Sequence, residues 1–365
     1  MKVRQLRPIG TLALLAALAA CGGGQPPSAE TASPAAPVEG ASATGGGGGG
    51  GQINGAGATF PNPIYSKWFS EYAKIHPDVR INYQPIGSGG GIRQLIAQTV
   101  FFGASDAPMT DEQLKSAPPI VHLPTVLGAV VPVFNVAGVT DLRFSGPLLA
   151  DIILGKIKKW NDPAIVKENP GVKLPAADIV FAHRSDGSGT TFILCDYLSK
   201  VSPEFKRKVG ASTSVNWPVG VGAKGNEGVA GLVKQTPSSI GYVELIYALQ
   251  NSIPYGTVKN KAGTYLKASL DSVTAAAAST AASMPADFRV SITDADGKDA
   301  YPISSYTWIL MYQNSSDKDK ARKMVAFMRW ALTDGQGMAK ELNYAPLPEA
   351  VVKLEQDALG RIQVQ

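Results

Sequence analysis

The chain has 365 residues, a formal net charge of +5, 44% hydrophobic residues, two cysteines and three histidines. Two cysteines cannot build a disulfide framework, and the histidines are too far apart in the sequence for the usual spacing of metal ligands. Basic residues do not alternate with aromatic residues in a stripe, so the composition argues against a nucleic-acid-binding protein.

Residues 1–20 have the pattern of an export signal. Three basic residues precede an apolar run that is too short for a stable transmembrane anchor. The run ends in Leu-Ala-Ala-Cys at 18–21, which resembles the cleavage box of bacterial lipoproteins, so we expect Cys21 to carry lipid. An ordinary signal peptide with a chance cysteine is the alternative. Removing 1–20, which holds three positive charges and no acid, lowers the net charge from +5 to +2.

A tether is predicted next, over residues 21–52. The segment consists mainly of Gly, Ala, Pro and Ser and includes seven consecutive glycines at 45–51. Such a composition cannot bury enough apolar surface to offset the entropy lost on ordering. We therefore expect a flexible tether with a root-mean-square span of roughly 30 Å.

Two α/β domains are predicted for the rest of the chain. About 310 residues follow the tether, which is long for one hydrophobic core and suits two domains. Short apolar strands, glycine-rich turns and helices alternate, and in open α/β sheets ligands bind beyond the carboxyl ends of the strands. The first predicted elements are a strand from residue 53, a helix over 64–75, a strand over 79–84, a helix over 92–98 and a strand over 102–106.

Two apolar extended runs are candidates for the connections between the domains. Residues 121–136 are rich in β-branched residues and interrupted by prolines, and 303–311 form a second such run. A chain that crosses and returns in this way divides into a discontinuous first domain, 53–125 plus 303–365, and a second domain, 126–302.

The remaining predicted elements follow in chain order. They are a helix over 151–160, a strand over 179–183, a glycine-rich turn leading into a helix at 220–231, a strand over 240–243, an alanine-rich surface helix over 273–282, and helices that include 321–332 and 351–354. No internal repeat is visible, which argues against a repeat architecture.

The stretch from Arg184 to Thr190 (Arg-Ser-Asp-Gly-Ser-Gly-Thr) carries the clearest chemical signal. Two glycines allow a tight turn, and hydroxyls and an arginine stand beside the N–H groups of a predicted helix start. A helix N-terminus, with free amides and the positive end of the helix dipole, binds anions. Glycine-rich stretches at 55–60, 87–91 and 103–106 have the same character, so we expect all four to converge on one small oxyanion.

Motifs for catalysis and nucleotide binding are incomplete in the sequence. The P-loop pattern does not occur, and Asp186 stands where a nucleophile elbow around Ser188 would need glycine. The glycines of 87–91 have the wrong spacing for a dinucleotide-binding fingerprint. Cys195 lies on an apolar helix face without a nearby base and is predicted to be an inert core residue. The set of turns suits binding without reaction.

An ordered set of motifs points to a family. The chain contains Gly-Ala-Gly-Ala-Thr-Phe-Pro at 55–61, Gly-Ser-Gly-Gly at 87–90, Phe-Gly-Ala-Ser-Asp-Ala-Pro at 102–108 and Asp-Gly-Ser-Gly-Thr at 186–190. Supporting motifs are Leu-Gly-Lys-Ile-Lys-Lys-Trp at 154–160, Gly-Tyr-Val-Glu at 241–244 and Leu-Asn-Tyr-Ala-Pro-Leu-Pro at 342–348. From about residue 53 to the C-terminus, the chain resembles the phosphate-binding proteins of bacterial high-affinity ABC phosphate importers.

The resemblance implies a fold and a set of phosphate-binding residues. The fold is α/β, a two-domain periplasmic-binding-protein-like fold of type II, with a ligand cleft between domains joined by two crossing strands. The implied site consists of Ala58, Thr59, Phe60, Ser88, Asp106, Arg184, Ser188, Gly189 and Thr190, with Asp186 supporting the arginine. The chain departs from the family pattern at Phe101, where an acid is common, and at Gly89, where a second serine is common. Neither position has an assigned role.

Asp106 is expected to make the site selective. Donors alone would bind sulfate as well as phosphate, but phosphate near neutral pH still carries a proton, and Asp106 can accept its hydrogen bond. Facing sulfate, the carboxylate would have no partner, which disfavours binding by up to roughly 10⁴–10⁵-fold. Asp186 is expected to hold the Arg184 guanidinium through a bidentate pair. A turn-capping acid is the alternative role for Asp106.

We therefore predict a binding protein, not an enzyme, that captures inorganic phosphate and delivers it to the membrane permease of an ABC importer. It is expected to be an exported monomer, in the periplasm or at the cell surface, anchored to a membrane through Cys21. No cofactor, metal or nucleic-acid partner is expected. The alternatives are a receptor for another tetrahedral oxyanion, such as sulfate or molybdate, and a secreted phosphatase.

Overall fold

The computed structural model describes residues 51–281 and 283–364. The strands are β1 (Ile53–Gly57), β2 (Ile81–Gln84), β3 (Phe102–Ser105), β4 (Ile120–Asn135), β5 (Arg143–Phe144), β6 (Val180–Arg184), β7 (Val221–Ala223), β8 (Ser239–Glu244), β9 (Thr257–Lys259), β10 (Tyr265–Leu266) and β11 (Ser304–Tyr312). The α-helices are α1 (Asn62–Ile75), α2 (Ser88–Ile96), α3 (Asp111–Lys115), α4 (Gly146–Ile153), α5 (Pro163–Glu168), α6 (Gly189–Val201), α7 (Pro203–Lys208), α8 (Gly225–Gln235), α9 (Leu245–Gln250), α10 (Leu270–Ala281), α11 (Lys318–Ala331), α12 (Asp334–Ala339) and α13 (Glu349–Leu359), and a 3-10 helix spans Lys340–Leu342.

The predicted signal peptide, Cys21 and nearly all of the predicted tether lie outside the described residues. Among the helices of the described ranges, none is long and apolar enough to cross a membrane.

One eight-stranded sheet has the strand order β2-β1-β3-β11-β4-β8-β6-β7. β1 is parallel to β2 and β3, and β6 is parallel to β7 and β8. β11 is antiparallel to β3 and β4, and β4 is antiparallel to β8. A smaller sheet contains β10, β9 and β5. This mixed α/β arrangement, with two groups of parallel strands joined through β4, confirms the predicted fold class.

Strand β4 is shared by two halves of the sheet. It pairs with β11 up to Ala129 and with β8 from Val130 onward. We call the half that contains β1, β2, β3 and β11 the first lobe, and the half that contains β6, β7 and β8 the second lobe. The chain returns to the first lobe beside this change of partner, where the Val130 amide donates to Ile303 O at 2.9 Å. The extended runs predicted at 121–136 and 303–311 correspond to β4 and β11.

The predicted helix over 92–98 begins earlier than the sequence indicated. The glycines that were expected to form a turn before it belong to its first turns. α2 begins at Ser88 and includes Gly89, Gly90 and Gly91. A Cβ built on Gly91 would lie 2.5 Å from both Ala56 O and Gly57 Cα. These glycines therefore allow the first turns of α2 to pack directly against β1, which the sequence alone does not distinguish from a tight turn.

The prediction of a helix over 151–160 is also wrong, because the helix in this region lies earlier in the chain. α4 spans Gly146–Ile153, and the hydroxyl of its cap, Ser145, accepts a hydrogen bond from Leu148 N at 3.3 Å. Gly155 has a φ of +71°, the left-handed conformation with which helices commonly end. The capping serine and this glycine set the helix bounds, whereas the apolar residues after Gly155 belong to irregular structure.

The alanine-rich helix predicted over 273–282 is not simply a surface helix. α10 spans Leu270–Ala281 and buries Ser272, Val273, Ala276 and Ala277 along one face. Small side chains at these positions let the helix pack closely on the sheet, where α10 contacts β4 and β11.

Gly91→Ala is expected to lower the free energy of unfolding by about 1–3 kcal/mol, because the new methyl group meets backbone atoms that cannot rotate away. Gly231→Ala in α8 is the matched control, since no heavy atom lies within 4 Å of its Cβ position. Alanine there should raise the free energy of unfolding by about 0.5–1 kcal/mol. Denaturant unfolding followed by circular dichroism measures both. Equal stability of the two variants would contradict the packing role of Gly91.

Candidate anion-binding site

The four predicted stretches meet between the two lobes. The first lobe contributes the turn after β1, the start of α2 and the residue after β3, and the second lobe contributes the end of β6 and the start of α6. A Cβ built on Gly189 would lie 2.5 Å from Ser88 Oγ and 2.6 Å from Asp106 Oδ2. The predicted site residues with at most 3% exposure are Ala58, Thr59, Phe60, Ser88, Asp106, Arg184, Ser188 and Thr190; Gly189 is also buried. The structure thus brings the nine predicted ligand-binding residues into one buried region, with Asp186 partly exposed beside Arg184.

The lobes touch each other directly around this site. Gly89 N, in α2, donates to Gly187 O, before α6, at 2.9 Å. From the second lobe, the Tyr247 hydroxyl donates to Thr59 O at 2.5 Å. These hydrogen bonds cross from one lobe to the other, so the cleft is closed.

Helix α6 directs its N-terminus into the site. Its cap, Ser188, accepts a hydrogen bond from Thr191 N at 3.0 Å. The amides of Gly189 and Thr190 precede Thr191, in the part of the first turn where N–H groups have no partner within the helix. Helix α2 enters from the other lobe without a side-chain cap at its start. Two helix starts with positive dipole ends therefore face the same volume, which favours an anion there.

Ala58 supports the turn after β1. Its amide donates to Ala104 O at 3.0 Å, and its carbonyl accepts the Tyr83 hydroxyl at 2.7 Å. The amide of this predicted site residue is thus already bonded within the sheet, because Ala58 continues the pairing of β1 with β3. Thr59 and Phe60 remain as the residues of this turn that can face a ligand.

Arg184 is held by the bidentate pair expected from the sequence. Its Nε donates to Asp186 Oδ1 at 2.8 Å and its Nη2 donates to Asp186 Oδ2 at 2.5 Å. Burial acts to raise the pKa of the Asp186 carboxyl, but the hydrogen bonds and charge of Arg184, together with the Gly225 amide, outweigh it and hold this pKa below its usual value. The guanidinium is therefore fixed in orientation beside the start of α6.

Asp106 is a buried carboxyl among hydrogen-bond donors. Its Oδ1 accepts the Thr307 hydroxyl at 2.7 Å, while its backbone amide donates to Ser88 Oγ at 3.1 Å. Burial raises the pKa of Asp106 to about 7, against the opposing effects of the Thr307 hydrogen bond, the charge of Arg184 and the Ser88 hydroxyl. The group can therefore change between acceptor and donor near neutral pH.

Several polar residues of the site were missed by the sequence analysis. Asn226, at the start of α8, donates from Nδ2 to Thr59 Oγ1 at 2.8 Å and to Thr190 Oγ1 at 3.1 Å. The available signal was the glycine-rich turn at 220–231, which leads into a helix as the other stretches do. Thr307 had no comparable signal, because it lies inside an apolar strand where β11 and β4 change register.

Cys195 and clusters of metal-ligating side chains are the remaining candidates for chemistry. Cys195 is a free, buried cysteine, and burial raises the pKa of its thiol, which disfavours the reactive thiolate. Within residues 51–281 and 283–364, no group of three or more His, Cys, Asp or Glu side chains could hold a metal ion.

Comparison with known proteins assigns the chain to a family. The family model described as a PBP superfamily domain matches residues 42–334. The chain is 49% identical over 304 residues to the phosphate-binding protein PstS of Xylella fastidiosa, with 83% of each chain covered. Its fold is similar to that of a phosphate-binding protein from Stenotrophomonas maltophilia, with a TM-score of 0.66, 18% identity and coverage of 84% of this chain and 93% of the other.

A second solved structure shares the fold and contains bound phosphate. The high-affinity periplasmic phosphate-binding protein PfluDING, bound with phosphate, has a TM-score of 0.66 and 21% identity, and the similarity covers 83% of this chain and 92% of that chain. The family assignment depends on the extent of the family-model match and on the identity to the Xylella fastidiosa protein. The chain belongs to the PBP superfamily and, within it, to the family of phosphate-binding proteins named PstS.

Proposed function

We propose that this protein binds inorganic phosphate in the closed cleft and delivers it to the permease of an ABC-type phosphate importer. The observation that carries the proposal is the position of Asp106, a carboxyl acceptor opposite the helix-start amides of Gly189 and Thr190. Relatives named phosphate-binding protein, and a similar fold with bound phosphate, support the same ligand.

The proposed ligand contacts follow from the donors and acceptors of the site. Donors come from the amides at the start of α6, the hydroxyls of Thr59, Ser88, Ser188 and Thr190, the turn residue Phe60, and the guanidinium of Arg184. Tetrahedral phosphate has enough oxygens to accept from both lobes at once, and its remaining proton can be donated to Asp106. Sulfate and molybdate carry no such proton, so they would place an anion against the Asp106 carboxylate without donating a hydrogen bond to it.

Closure by a hinge is proposed as the means of capture. The lobe-crossing hydrogen bonds of the closed cleft must break for phosphate to enter, while β4 and the start of β11 connect the lobes in both states. The proposed division places 53–125 and 303–365 in the first domain and 126–302 in the second.

Export and anchoring complete the proposal. The predicted signal peptide and lipidated Cys21 would place the binding domain outside the cytoplasmic membrane, on a tether that lets it reach the permease. The similar protein PfluDING is described as periplasmic. Mass spectrometry of the membrane fraction tests the anchor: a lipid-modified peptide that begins at Cys21 is expected, and an unmodified mature N-terminus would contradict it.

Asp106→Asn should weaken phosphate binding and remove most of the selectivity against sulfate. An amide fills the same space but can donate to sulfate, so the ratio of the two affinities should fall by about 10²-fold or more. Titration calorimetry with both anions measures the ratio. Asp271→Asn, at an exposed position in α10, makes the same charge change and should leave the ratio unchanged. A selective Asp106→Asn protein would show that another group detects the phosphate proton.

The pH dependence of sulfate binding should report the protonation of Asp106. A carboxyl with a pKa of about 7 is neutral below that pH and can donate to sulfate there. Above that pH it is a carboxylate that faces the anion and receives no hydrogen bond from it. Sulfate affinity should therefore fall by about tenfold per pH unit above about pH 7. Competition experiments across this range measure the slope. Asp106→Asn should abolish it, and an equal slope in both proteins would refute the assignment.

A further inference from the structure

Asn226 lies between two hydroxyls of the proposed phosphate site. Its side chain is fully buried, and its Oδ1 accepts a hydrogen bond from Glu244 N at 2.9 Å. Because a backbone N–H can only donate, this contact determines which end of the amide is oxygen. The NH2 group must then face Thr59 and Thr190, to which its two hydrogens are donated at 2.8 and 3.1 Å.

The Thr59 hydroxyl has both of its acceptor positions filled. Its Oγ1 accepts one hydrogen bond from Asn226 Nδ2 at 2.8 Å and another from Asn226 N at 3.2 Å. A hydroxyl group has one hydrogen to donate and two lone pairs with which to accept. The Thr59 hydroxyl can therefore interact with a further group only by donating its hydrogen.

The Thr190 hydroxyl is in the same situation. Its Oγ1 accepts from Asn226 Nδ2 at 3.1 Å and from Arg184 Nη1 at 3.3 Å. Thr59 belongs to the first lobe and Thr190 to the second, so one side chain orders the hydroxyl hydrogens on both sides of the closed cleft.

We propose that Asn226 is a positioning residue that sets the ligand's protonation state by turning the hydroxyls of Thr59 and Thr190 into obligatory donors. This inference rests on the phosphate-binding function proposed above. The ligand must then present unprotonated oxygens to the two threonines and its proton to Asp106. The hydrogen phosphate dianion fits this pattern.

The dihydrogen phosphate monoanion fits the pattern less well. It carries two P–OH groups, of which Asp106 can accept one. The second cannot be accepted by Thr59 or Thr190, where a donor facing a donor leaves a buried polar group without its hydrogen bond, an unfavourable arrangement. Asn226 therefore favours the dianion over the monoanion.

Asn226→Ala tests the proposal. The backbone amide of residue 226 still bonds Thr59 and the guanidinium still bonds Thr190, so each hydroxyl regains one free acceptor position and can turn to accept a P–OH group. Dianion binding should weaken by about tenfold, and monoanion binding should weaken less. The ratio of phosphate affinity at about pH 8.5 to that at about pH 5 should fall at least about threefold relative to the unaltered protein.

The pH-dependent groups around Asn226 remain in both proteins, so the difference between the two pH profiles isolates its effect. The charged or titratable residues near the site are Asp106, Arg184, Asp186, Glu227, Glu244 and Tyr247. Calorimetric titration with inorganic phosphate gives the affinities, and thermal unfolding confirms that each variant is folded.

Asn169→Ala is the matched control. Asn169 is also buried in the second lobe, but its side chain bonds the backbone of Arg143 and Ile165. This variant should lose stability without a change in the ratio of affinities. If Asn226→Ala behaves in the same way, the proposal is wrong.

A double-mutant cycle with Thr190→Val separates hydroxyl ordering from lobe closure. Thr190 and Asn226 are both in the second lobe, so their contact does not itself hold the lobes together. Asn226→Ala should cost less affinity in the Thr190→Val background, because one ordered hydroxyl is already absent. Additive effects would overturn the proposal.

Asn226→Asp provides a second variant of nearly unchanged shape. It can keep the bond from the Glu244 amide but replaces the donor by an acceptor, toward which the threonine hydrogens would turn. At about pH 8.5 its phosphate affinity should fall further than that of Asn226→Ala, by about 10²-fold, and an equal or smaller loss would contradict the proposal. If the unaltered protein itself fails to bind phosphate, the proposed function fails; if only the predicted variant effects fail, the inference alone is lost.

Discussion

The first turns of α2 and α6 approach each other across the closed cleft, and the arrangement of the site depends on this contact. The Gly89 amide bonds Gly187 O, and Gly189 leaves no space for a Cβ beside Ser88 and Asp106. Two positive helix ends are thereby brought together with Arg184 in a buried volume where charges are poorly screened. Closure is consequently favoured by negative charge, which Asp186 supplies permanently and the proposed phosphate supplies when it binds.

The polar residues of the site have separate tasks. Asp186 orients the guanidinium of Arg184, so the positive charge is held in place before a ligand arrives. Asp106 is the acceptor, and its hydrogen bond from Thr307 fixes one carboxyl oxygen and leaves the other near Ser88 and Gly189. The proposed role of Asn226 adds direction to the threonine hydroxyls. A buried network of this kind is specific because each unpaired donor or acceptor is costly.

Much of this organisation could be predicted from the sequence, for identifiable reasons. The alternation of strands, glycine-rich stretches and helices is a local pattern, and it located β1, β2, β3, β6, β8 and the two long extended runs. It missed β7, which lies in the stretch predicted as a glycine-rich turn. The Arg184–Asp186 pair is local too, since the residues are two positions apart. The start of α2 was misplaced because glycine is compatible both with a turn and with a helix that packs tightly on β1. The position of α4 depended on Ser145 and Gly155, whose capping roles the apolar pattern did not reveal.

The sequence by itself determined the α/β class, the family resemblance and the identity of the groups that carry charge and hydrogen-bond donors. Only the tertiary structure decided how these groups share their hydrogen bonds. The amide of Ala58 is already used by β3, Thr307 reaches Asp106 from a strand two hundred and one residues later in the chain, and Asn226 connects threonines of both lobes. The physical reason is that a hydroxyl or carboxyl acts as donor or acceptor according to its neighbours in space, and those neighbours are far apart in the sequence.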